Sequence, residues 1–297
     1  MIIETRGLSK QYRSAVALDS LDLAVPEGRI SAFLGPNGSG KTTTIKILLG
    51  LARPTAGEAF VFDKPATEES SSLEIRQRIG YVSEDKRLYP YMTGEQILDF
   101  TRPLFPRWSR ELERRLVAAF NFPLDQKIKT FSKGMRSKLA LILALARQPA
   151  LLILDEPSEG LDPVATEHML QAIVESAARG CTVFFSSHQI SEVERIADEV
   201  FIMCGGRLAL HGPLEELRQN FRRMHFAFIG RAPLEEMSLE GVRKSWADGH
   251  VLSLVVDGNH DEIAGRGRAL GAISVDVQPM NLRELFLDAV ETALEDR

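Results

Sequence analysis

The hydrophobic pattern near the start of the chain predicts several short strands and one helix. Ile30–Leu34 is a mostly apolar run that ends at Gly35, as expected for a buried strand. Thr43–Leu49 follows as a helix, which Gly50 would help to end. Further β structure is predicted at Ile2–Glu4, Ala17–Val25 and residues 58–62 and 79–83. The polar run Glu68–Ser72 is expected to be a surface loop.

A long helical stretch follows, from about residue 85 to residue 146. Its apolar residues recur at helical spacing, and Pro103, Pro106 and Pro123 mark the joints between helices. The predicted helices are Thr93–Phe100, Arg110–Phe120 and Lys133–Ala146. We therefore predict a helical subdomain inserted between the early and the late strands.

The following segments alternate strand and helix, which predicts an α/β core with a parallel sheet. Leu151–Asp155 has four apolar residues and ends in a carboxylate, typical of a buried parallel strand. The elements predicted after it are a helix at Val164–Ala178, a strand at Thr182–Ser186, a helix at Ile190–Ala197, a strand at Glu199–Met203 and a helix at Leu214–Asn220.

The remainder of the chain is predicted to form a separate small α+β unit. Its elements are strands at Val251–Val256 and Ile273–Val277 and a helix with an apolar stripe from Leu282 to Ala293. Asn281 and Glu284 are suited to cap that helix as a pair. No grouping of catalytic residue types occurs in this part of the sequence. The predicted domains are therefore residues 1–215, with a helical subdomain at about 85–146, and residues 216–297.

Composition and charge narrow the functional classes. The 297 residues are 44% hydrophobic and 26% charged, with a formal net charge of −5. An acidic chain is a poor match for a duplex-binding surface, so we expect no nucleic-acid partner. The most apolar region, Leu139–Leu154, is interrupted before it could span a bilayer, and the first residues do not resemble a signal peptide. We expect a cytoplasmic protein in which Cys181 and Cys204 are buried rather than paired or metal-bound.

A phosphate-binding loop lies between the strand Ile30–Leu34 and the helix after it. The residues from Gly35 to Thr42 fit the pattern G-x-x-x-x-G-K-[ST], in which backbone N–H groups and a helix N-terminus face phosphates. Lys41 would reach the β- and γ-phosphates, and the Thr42 hydroxyl would ligate Mg²⁺. The residues expected to contact nucleotide are Gly35, Pro36, Asn37, Gly38, Ser39, Gly40, Lys41, Thr42 and Thr43.

Polar side chains follow other predicted strands, where a ligand crevice forms in open α/β sheets. Asp155 fits the second acidic Mg²⁺ residue of phosphate-loop enzymes, and Glu156 could accept a proton from an attacking water. Glu84 and His188 come at two further strand ends, and His188 could bond the γ-phosphate or orient the water. Tyr12 is predicted in a connection, where its ring either stacks on adenine or lies on the surface.

Because of these residues, the segment 1–215 resembles the nucleotide-binding subunit of ATP-binding-cassette (ABC) transporters. This resemblance implies the phosphate-loop NTPase fold. The matching motifs occur in the family's order. They are the adenine-stacking Tyr12, the Walker A loop Gly35–Thr42, the Q-loop position Glu84, the signature at Ser132, Lys133, Gly134 and Met135, Walker B at Leu151–Asp155 with the catalytic Glu156, the D-loop with Asp162, and the switch His188.

The sequence departs from the family pattern at two places. The usual Q-loop glutamine is Glu84, which can still ligate Mg²⁺ but adds negative charge and cannot donate as an amide does. The usual Leu-Ser-Gly-Gly-Gln signature reads Phe-Ser-Lys-Gly-Met, so Lys133 and Met135 replace family residues. The Ser-Lys-Gly-Met form and the run Arg102–Trp108 resemble a bacterial subgroup paired with exporter-type permeases, and the C-terminal unit resembles a small extension of such subunits.

The resemblance implies an ATPase that works as a dimer against a separate membrane permease, with ATP and Mg²⁺ as ligands. Ser132 and Gly134 of one chain would bind the γ-phosphate held by the other chain. The segment after Glu84, including Leu88, Tyr89 and Met92, is expected to dock on the permease, which would hold the chain peripherally at the cytoplasmic face of the membrane. Two alternatives remain: a non-transport ABC ATPase of translation or DNA repair, and a nucleotide-dependent regulator without hydrolysis.

Overall fold

A computed structural model of the protein describes residues 1–13 and 15–295. The chain divides into two compact units, Met1–His211 and Gly212–Arg297. Within the described residues, no helix combines the length and apolarity needed to cross a bilayer. Cys181 and Cys204 are both buried and form no disulfide, as predicted.

The described residues form strands and helices in the order that the hydrophobic pattern predicts for most of the first unit. The strands are β1 (Ile3–Tyr12), β2 (Ala15–Val25), β3 (Ile30–Leu34), β4 (Ala56–Val61), β5 (Lys64–Pro65), β6 (Ile79–Val82), β7 (Leu151–Asp155), β8 (Thr182–Ser186), β9 (Glu199–Cys204), β10 (Arg207–Pro213), β11 (Phe221–Ala227), β12 (Val242–Asp248), β13 (Val251–Asp257) and β14 (Ser274–Pro279). The α-helices are α1 (Lys41–Leu48), α2 (Glu69–Arg78), α3 (Gly94–Thr101), α4 (Arg110–Ala119), α5 (Lys133–Leu145), α6 (Pro163–Ala178), α7 (Ile190–Ile196), α8 (Leu214–Asn220), α9 (His260–Ala269) and α10 (Leu282–Glu295). Short 3₁₀ turns lie at Arg102–Leu104, Ile128–Thr130 and Glu235–Met237.

A six-stranded sheet forms the centre of the first unit, in the order β10-β9-β3-β8-β7-β6. Strands β9, β3, β8, β7 and β6 pair in parallel. Every residue of β3, β7 and β8 is buried, which explains why these strands are almost continuous apolar runs. Because the strands are parallel, their carboxyl ends meet at one edge of the sheet, and this confirms the α/β fold class.

A second, antiparallel sheet of the first unit has the order β2-β1-β4-β5. One apolar cluster joins it to the central sheet and to α1; its members include Ile3, Leu8, Leu23, Phe33, Ile45 and Leu48. All of these side chains are fully or almost fully buried. The shared core fixes β3 and α1, and therefore the loop between them.

The second unit is a four-stranded antiparallel sheet, β12-β13-β11-β14, with α9 and α10. Its core includes Met224, Phe226, Leu254 and Ile263. The capping pair predicted for α10 is present: Glu284 N donates to Asn281 Oδ1, and Asn281 N donates to a Glu284 carboxylate oxygen, both at 3.0 Å.

Two local predictions for the first unit are wrong. Glu68–Ser72 is not a loop, because Glu68 is the N-cap of α2 and the other four residues form its start. This helix buries Ser71 and Ile75 one helical turn apart and carries arginines in its last turn. Tyr12 does not lie in a connection but is the last residue of β1, where it pairs with Ala15 of β2.

Candidate nucleotide site

The carboxyl edge of the parallel strands carries a cavity of about 660 Å³, bordered by the phosphate loop. Residues predicted from five separate parts of the sequence come together around it. The lining residues are Tyr12, Ala17, Asn37, Gly38, Ser39, Gly40, Lys41, Thr42, Thr43, Glu84, Asp155, Glu156, Glu159 and His188. The cavity therefore unites the phosphate loop with residues that follow β6, β7 and β8.

The loop holds its lysine against its own backbone. Gly40 has φ +109°, and a Cβ atom at this position would lie 2.5 Å from the carbonyl oxygen of Ala17, so only glycine fits. Lys41 begins α1, and its Nζ donates to the carbonyl oxygen of Gly35 at 2.7 Å. Burial lowers the pKa of Lys41, while the carboxylates of Glu156 and Asp155 oppose this effect. The loop thus provides a fixed cation beside a helix N-terminus.

Ser186, the last residue of β8, orders the two acidic residues at the end of β7. Its hydroxyl donates to Asp155 Oδ1 at 2.6 Å and accepts a hydrogen bond from Glu156 N at 3.1 Å. Asp155 and Ser186 are almost completely buried. The carboxylate of Asp155 is therefore held in one orientation at the floor of the cavity.

Glu156 and His188 form a direct pair. Nδ1 of His188 lies 2.7 Å from Glu156 Oε2, and His188 N donates to the same oxygen at 3.3 Å. The side chain of His188 is 57% exposed, whereas that of Glu156 is 12% exposed. The two residues predicted to activate and orient a water are thus in contact, with the carboxylate anchored by both the ring and the backbone of His188.

The surroundings of Asp155 indicate whether the site fits a divalent cation. Its Oδ2 atom is buried and has no hydrogen-bond partner within the described residues. Residues 1–13 and 15–295 contain no group of three or more His, Cys, Asp or Glu side chains arranged for a metal. Mg²⁺ commonly uses only one or two protein ligands together with substrate phosphates and water. An unpartnered Asp155 oxygen in the same cavity as Thr42 and Glu84 fits this ligand set.

The signature residues do not line the cavity. Ser132, Lys133, Gly134 and Met135 are not among its lining residues. Ser132 caps α5, with its Oγ accepting from Met135 N at 3.2 Å. Lys133 forms an ion pair with Glu159 of the same chain. A single copy of the chain therefore does not bring its own signature to its own phosphate loop.

The start of α5 is packed tightly against the segment after β7. A Cβ atom on Gly134 would lie 2.4 Å from the carbonyl oxygen of Gly160. Ser137 Oγ donates to the carbonyl oxygen of Glu159 at 3.0 Å. Asp162, in the predicted D-loop, caps α6 by accepting from Ala165 N at 2.8 Å, and this bond lowers the pKa of Asp162.

Sequence reasoning missed several residues of the site. Ser186 and Glu159 carry no motif signal of their own, since their roles depend on contacts with Asp155 and Lys133 across the fold. Lys86 is buried two residues after Glu84, although a lysine in a polar segment is normally assigned to the surface. Position in the chain was the available signal, because each of the three lies within three residues of a residue already identified by its motif.

Comparison with known proteins assigns this geometry to a family. The sequence profile of the ABC transporter family matches residues 18–159. The chain is 31% identical to the ABC transporter ATP-binding protein YhaQ of Bacillus subtilis, over 97% of this chain and 98% of that protein. It is 35% identical to the daunorubicin/doxorubicin resistance ATP-binding protein DrrA of Streptomyces peucetius, over 73% of this chain and 67% of that protein.

Solved structures agree with the sequence comparison. An ATP-binding subunit of an ABC transporter is 30% identical, with a TM-score of 0.67 over 74% of this chain and 92% of that chain. The dimeric cassette MJ0796, in a post-hydrolysis state bound to ADP and Pi, shares the fold at 23% identity, with a TM-score of 0.64 over 71% of this chain and 98% of that chain. The chain belongs to the ATP-binding subunits of the ABC transporter family.

Proposed function

We propose that the chain binds ATP with Mg²⁺ in the cavity at the sheet edge and hydrolyses it with Glu156 as the general base. The contact between Glu156 and His188 is the observation that carries this assignment. It places a carboxylate next to the cavity in an orientation fixed by two hydrogen bonds from His188. A base positioned in this way accepts a proton of the attacking water as the water oxygen bonds to the γ-phosphorus. The bond from the γ-phosphorus to the bridging oxygen breaks in the same step, so that ADP leaves and phosphate is formed.

The other lining residues bind the triphosphate. Lys41 and the N–H groups of the loop would bind the β- and γ-phosphates, and Tyr12, which is 46% exposed at the end of β1, would stack on the base. Thr42, Asp155 and Glu84 are the residues that would hold Mg²⁺, which shields phosphate charge when bound. His188 keeps Glu156 oriented and lies beside the γ-phosphate position.

Each site is completed by a second copy of the chain or a related subunit. The exposed Ser132 at the N-terminus of α5 lies outside the cavity of its own chain, and a helix N-terminus with free N–H groups is a ready anion site. Together with Gly134 it would bind the γ-phosphate of the partner's ATP. ATP would therefore close the dimer, and hydrolysis would reopen it.

We infer the transport role from relatives that are named for export and resistance. DrrA is named for daunorubicin and doxorubicin resistance, and other relatives are Nod factor export proteins. We assign this chain to an exporter of the same general kind, held at the cytoplasmic face of the membrane by its permease. The proposed docking surface consists of a groove of about 500 Å³ and of exposed aromatic residues in the helical subdomain. Groove residues include Leu51, Leu73, Tyr81, Leu104 and Phe105, and the exposed aromatics are Tyr89, Tyr91 and Phe100.

The Glu156→Gln variant tests the proposed function. It removes the base but keeps the volume and a hydrogen-bonding side chain, so steady-state ATP hydrolysis should fall about 10²–10⁴-fold. ATP binding should persist, and the ATP-bound dimer should accumulate in size-exclusion chromatography. Glu111→Gln, on the exposed start of α4, is the matched control and should hydrolyse at the wild-type rate. Wild-type turnover in the Glu156→Gln protein would reject the assignment; absent turnover in the wild type would favour a non-hydrolysing regulator.

A further inference from the structure

A buried lysine next to the site is not used by any motif. Lys86 lies in the turn after β6 and is only 3% exposed. Its Nζ donates to the carbonyl oxygen of Glu156 at 3.1 Å and to that of Glu84 at 3.3 Å. Its own N–H group donates to Ser83, which closes the turn. The ammonium group therefore bridges the segment of the candidate γ-phosphate sensor and the segment of the base.

Lys86 and Glu156, at the two ends of the shorter of these bonds, both have strained backbones. Glu156 has φ +48° and Lys86 has φ +45°, in the left-handed region that residues with a Cβ atom avoid. A conformation of this kind costs about 1–3 kcal/mol and persists only where surrounding contacts impose it. Lys86 supplies one of these contacts at the strained Glu156 itself.

The contacts of Glu156 divide into three. Its N–H group donates to Ser186 Oγ at 3.1 Å, its carboxylate is bonded by His188, and its carbonyl oxygen accepts from Lys86 Nζ at 3.1 Å and from Glu159 N at 3.3 Å. The first and the last fix the two peptide groups on either side of its Cα atom. These peptide groups determine the direction in which the side chain leaves the backbone. Removing Lys86 leaves the carbonyl oxygen with the longer bond from Glu159 N, and so weakens one of the two supports that orient the carboxylate.

The charges around Lys86 also favour a cation at this place. Of the residues lining the cavity, Glu84, Asp155, Glu156 and Glu159 are carboxylates. Burial lowers the pKa of Lys86, whereas Glu159, Asp155 and Glu84 oppose that effect and Lys133 adds to it. The glutamate at position 84, where the family usually has glutamine, adds to the repulsion among these carboxylates. A cation beside them reduces that repulsion.

We propose that Lys86 is a positioning residue for ATP hydrolysis, which holds the backbone of Glu156 in its left-handed conformation and couples it to the Glu84 segment. Lys86 does not contact the reacting atoms; it acts through Glu156. This inference rests on the proposed function, because it assumes that Glu156 is the base.

The test compares Lys86→Met with the wild type in the full chain. Methionine fills a similar volume but has no N–H donor and no charge. We expect kcat to fall about 10–100-fold, the range that misplacement of a catalytic group by about 1 Å produces. The dissociation constant of ATP, measured calorimetrically in the Glu156→Gln background, should change less than about threefold, because ground-state binding is not altered.

A double-mutant comparison separates this role from a structural one. If Lys86 acts through Glu156, adding Lys86→Met to Glu156→Gln should not lower the residual turnover further. Three results would each overturn the proposal. They are a multiplicative loss of turnover in the double variant, an equal loss of ATP affinity and kcat in Lys86→Met, and a wild-type kcat in Lys86→Met. Lys46→Met, an exposed lysine on α1, is the matched control and should retain wild-type kcat.

A second variant covers the case in which Lys86→Met does not fold. Lys86→Gln keeps two N–H donors without the charge and should show the same separation of kcat from ATP affinity, with a smaller loss. Wild-type kcat in a folded Lys86→Gln protein whose ATP affinity has fallen would reject the proposal. If Glu156→Gln itself turns over at the wild-type rate, the proposed function fails instead, so the two failures are distinguishable.

Discussion

Ser132 combines a structural and a proposed functional role that substitution can separate. Its Oγ caps α5 by accepting from Met135 N, and the residue is exposed, as a phosphate contact across a dimer requires. Aspartate and asparagine are both good helix caps and have nearly the same volume. They differ in charge, so the pair keeps α5 in place while changing the electrostatics at its N-terminus.

We predict that Ser132→Asp abolishes most ATP-induced dimerisation, while Ser132→Asn retains more of it. The negative charge of aspartate would repel the γ-phosphate held by the partner. The same difference should appear in steady-state ATPase rates, with melting temperatures unchanged between the two variants. Equal activity of the two variants would contradict a phosphate contact at Ser132.

Mixing two inactive variants tests whether each ATP site is formed by two chains. Lys41→Ala removes the phosphate-loop cation, and Ser132→Asp spoils the signature. In a mixed dimer one site carries both defects and the other carries none, so an equimolar mixture should recover about a quarter of wild-type activity if the sites act independently. Complementation of this kind cannot occur if each chain forms its site alone.

At the residue scale, the sequence could predict what a motif places at fixed spacing. Lys41, Thr42 and Asp155 were assigned to the site from their neighbours in the chain, and the structure brings all three to the cavity. Ser186 and Lys86 could not be assigned, because their contacts join residues 30 and 70 positions apart and leave no local pattern. Whether Tyr12 stacks on adenine stays a prediction.

At the element scale, one arginine holds the helical subdomain together. Arg102 bonds the buried carboxylate of Glu113 through Nε at 2.8 Å and through one terminal nitrogen at 2.7 Å. It also pairs with Glu95 and Asp99 of α3, while Trp108 Nε1 donates to Glu113 at 2.7 Å. Burial raises the pKa of Glu113, but the bonds from Arg102 and Trp108 outweigh it, so the net pKa is lowered.

We predict that Arg102→Met lowers the free energy of unfolding of this region by about 3–5 kcal/mol at neutral pH, because it leaves the buried carboxylate of Glu113 without its cationic partner. A carboxyl group with a lowered folded pKa stabilises the protein above its ordinary value of 4.5 and loses that contribution as the pH falls through the lowered value. The difference between variant and wild type should therefore shrink in acid.

Trp108 provides the local measurement. Its fluorescence in a Trp246→Phe background reports urea unfolding beside Glu113 without a signal from the second unit. The control is Arg114→Met, which changes an exposed arginine on α4, the helix that carries Glu113. It should lower the free energy of unfolding by less than about 0.5 kcal/mol. A pH-independent loss in Arg102→Met would mean that Arg102 stabilises the region by packing and not by its charge.

The elements that the sequence failed to predict share a physical cause. Glycine at position 267 weakens helix propensity in α9, yet a Cβ atom there would lie 2.2 Å from the ring of Phe226, so packing against β11 requires it. In β11, charged and apolar residues mix because only Phe221, Met224 and Phe226 are buried. Tertiary packing, which no short window of sequence contains, decided both elements.

At the scale of the whole molecule, the groove proposed for docking would determine where the chain works. Leu104 is 55% exposed and lies in the groove beside Phe105 and Leu51. We predict that Leu104→Glu weakens binding to membranes that contain the permease about tenfold or more, because a charge in an apolar contact must be desolvated. ATP hydrolysis by the purified chain should not change.

Sedimentation with membranes of the source cells measures this binding. Val174→Glu is the matched control, because Val174 is 43% exposed on α6 and outside the groove. A photo-crosslinking side chain at position 104 should capture an integral membrane protein, and one at position 174 should not. Crosslinks that avoid both the groove and residues 84–110 would show that the permease binds elsewhere.

The close packing of Gly134 on Gly160 has a consequence for the coupling between the two ATP sites of the proposed dimer. In each chain, the helix start that would bind the partner's ATP touches the segment that follows the chain's own Glu156, and Ser137 adds a hydrogen bond between them. We therefore expect ATP at one site to change the affinity of the other, and by thermodynamic linkage this effect would be reciprocal. A dimer built in this way would respond to ATP cooperatively.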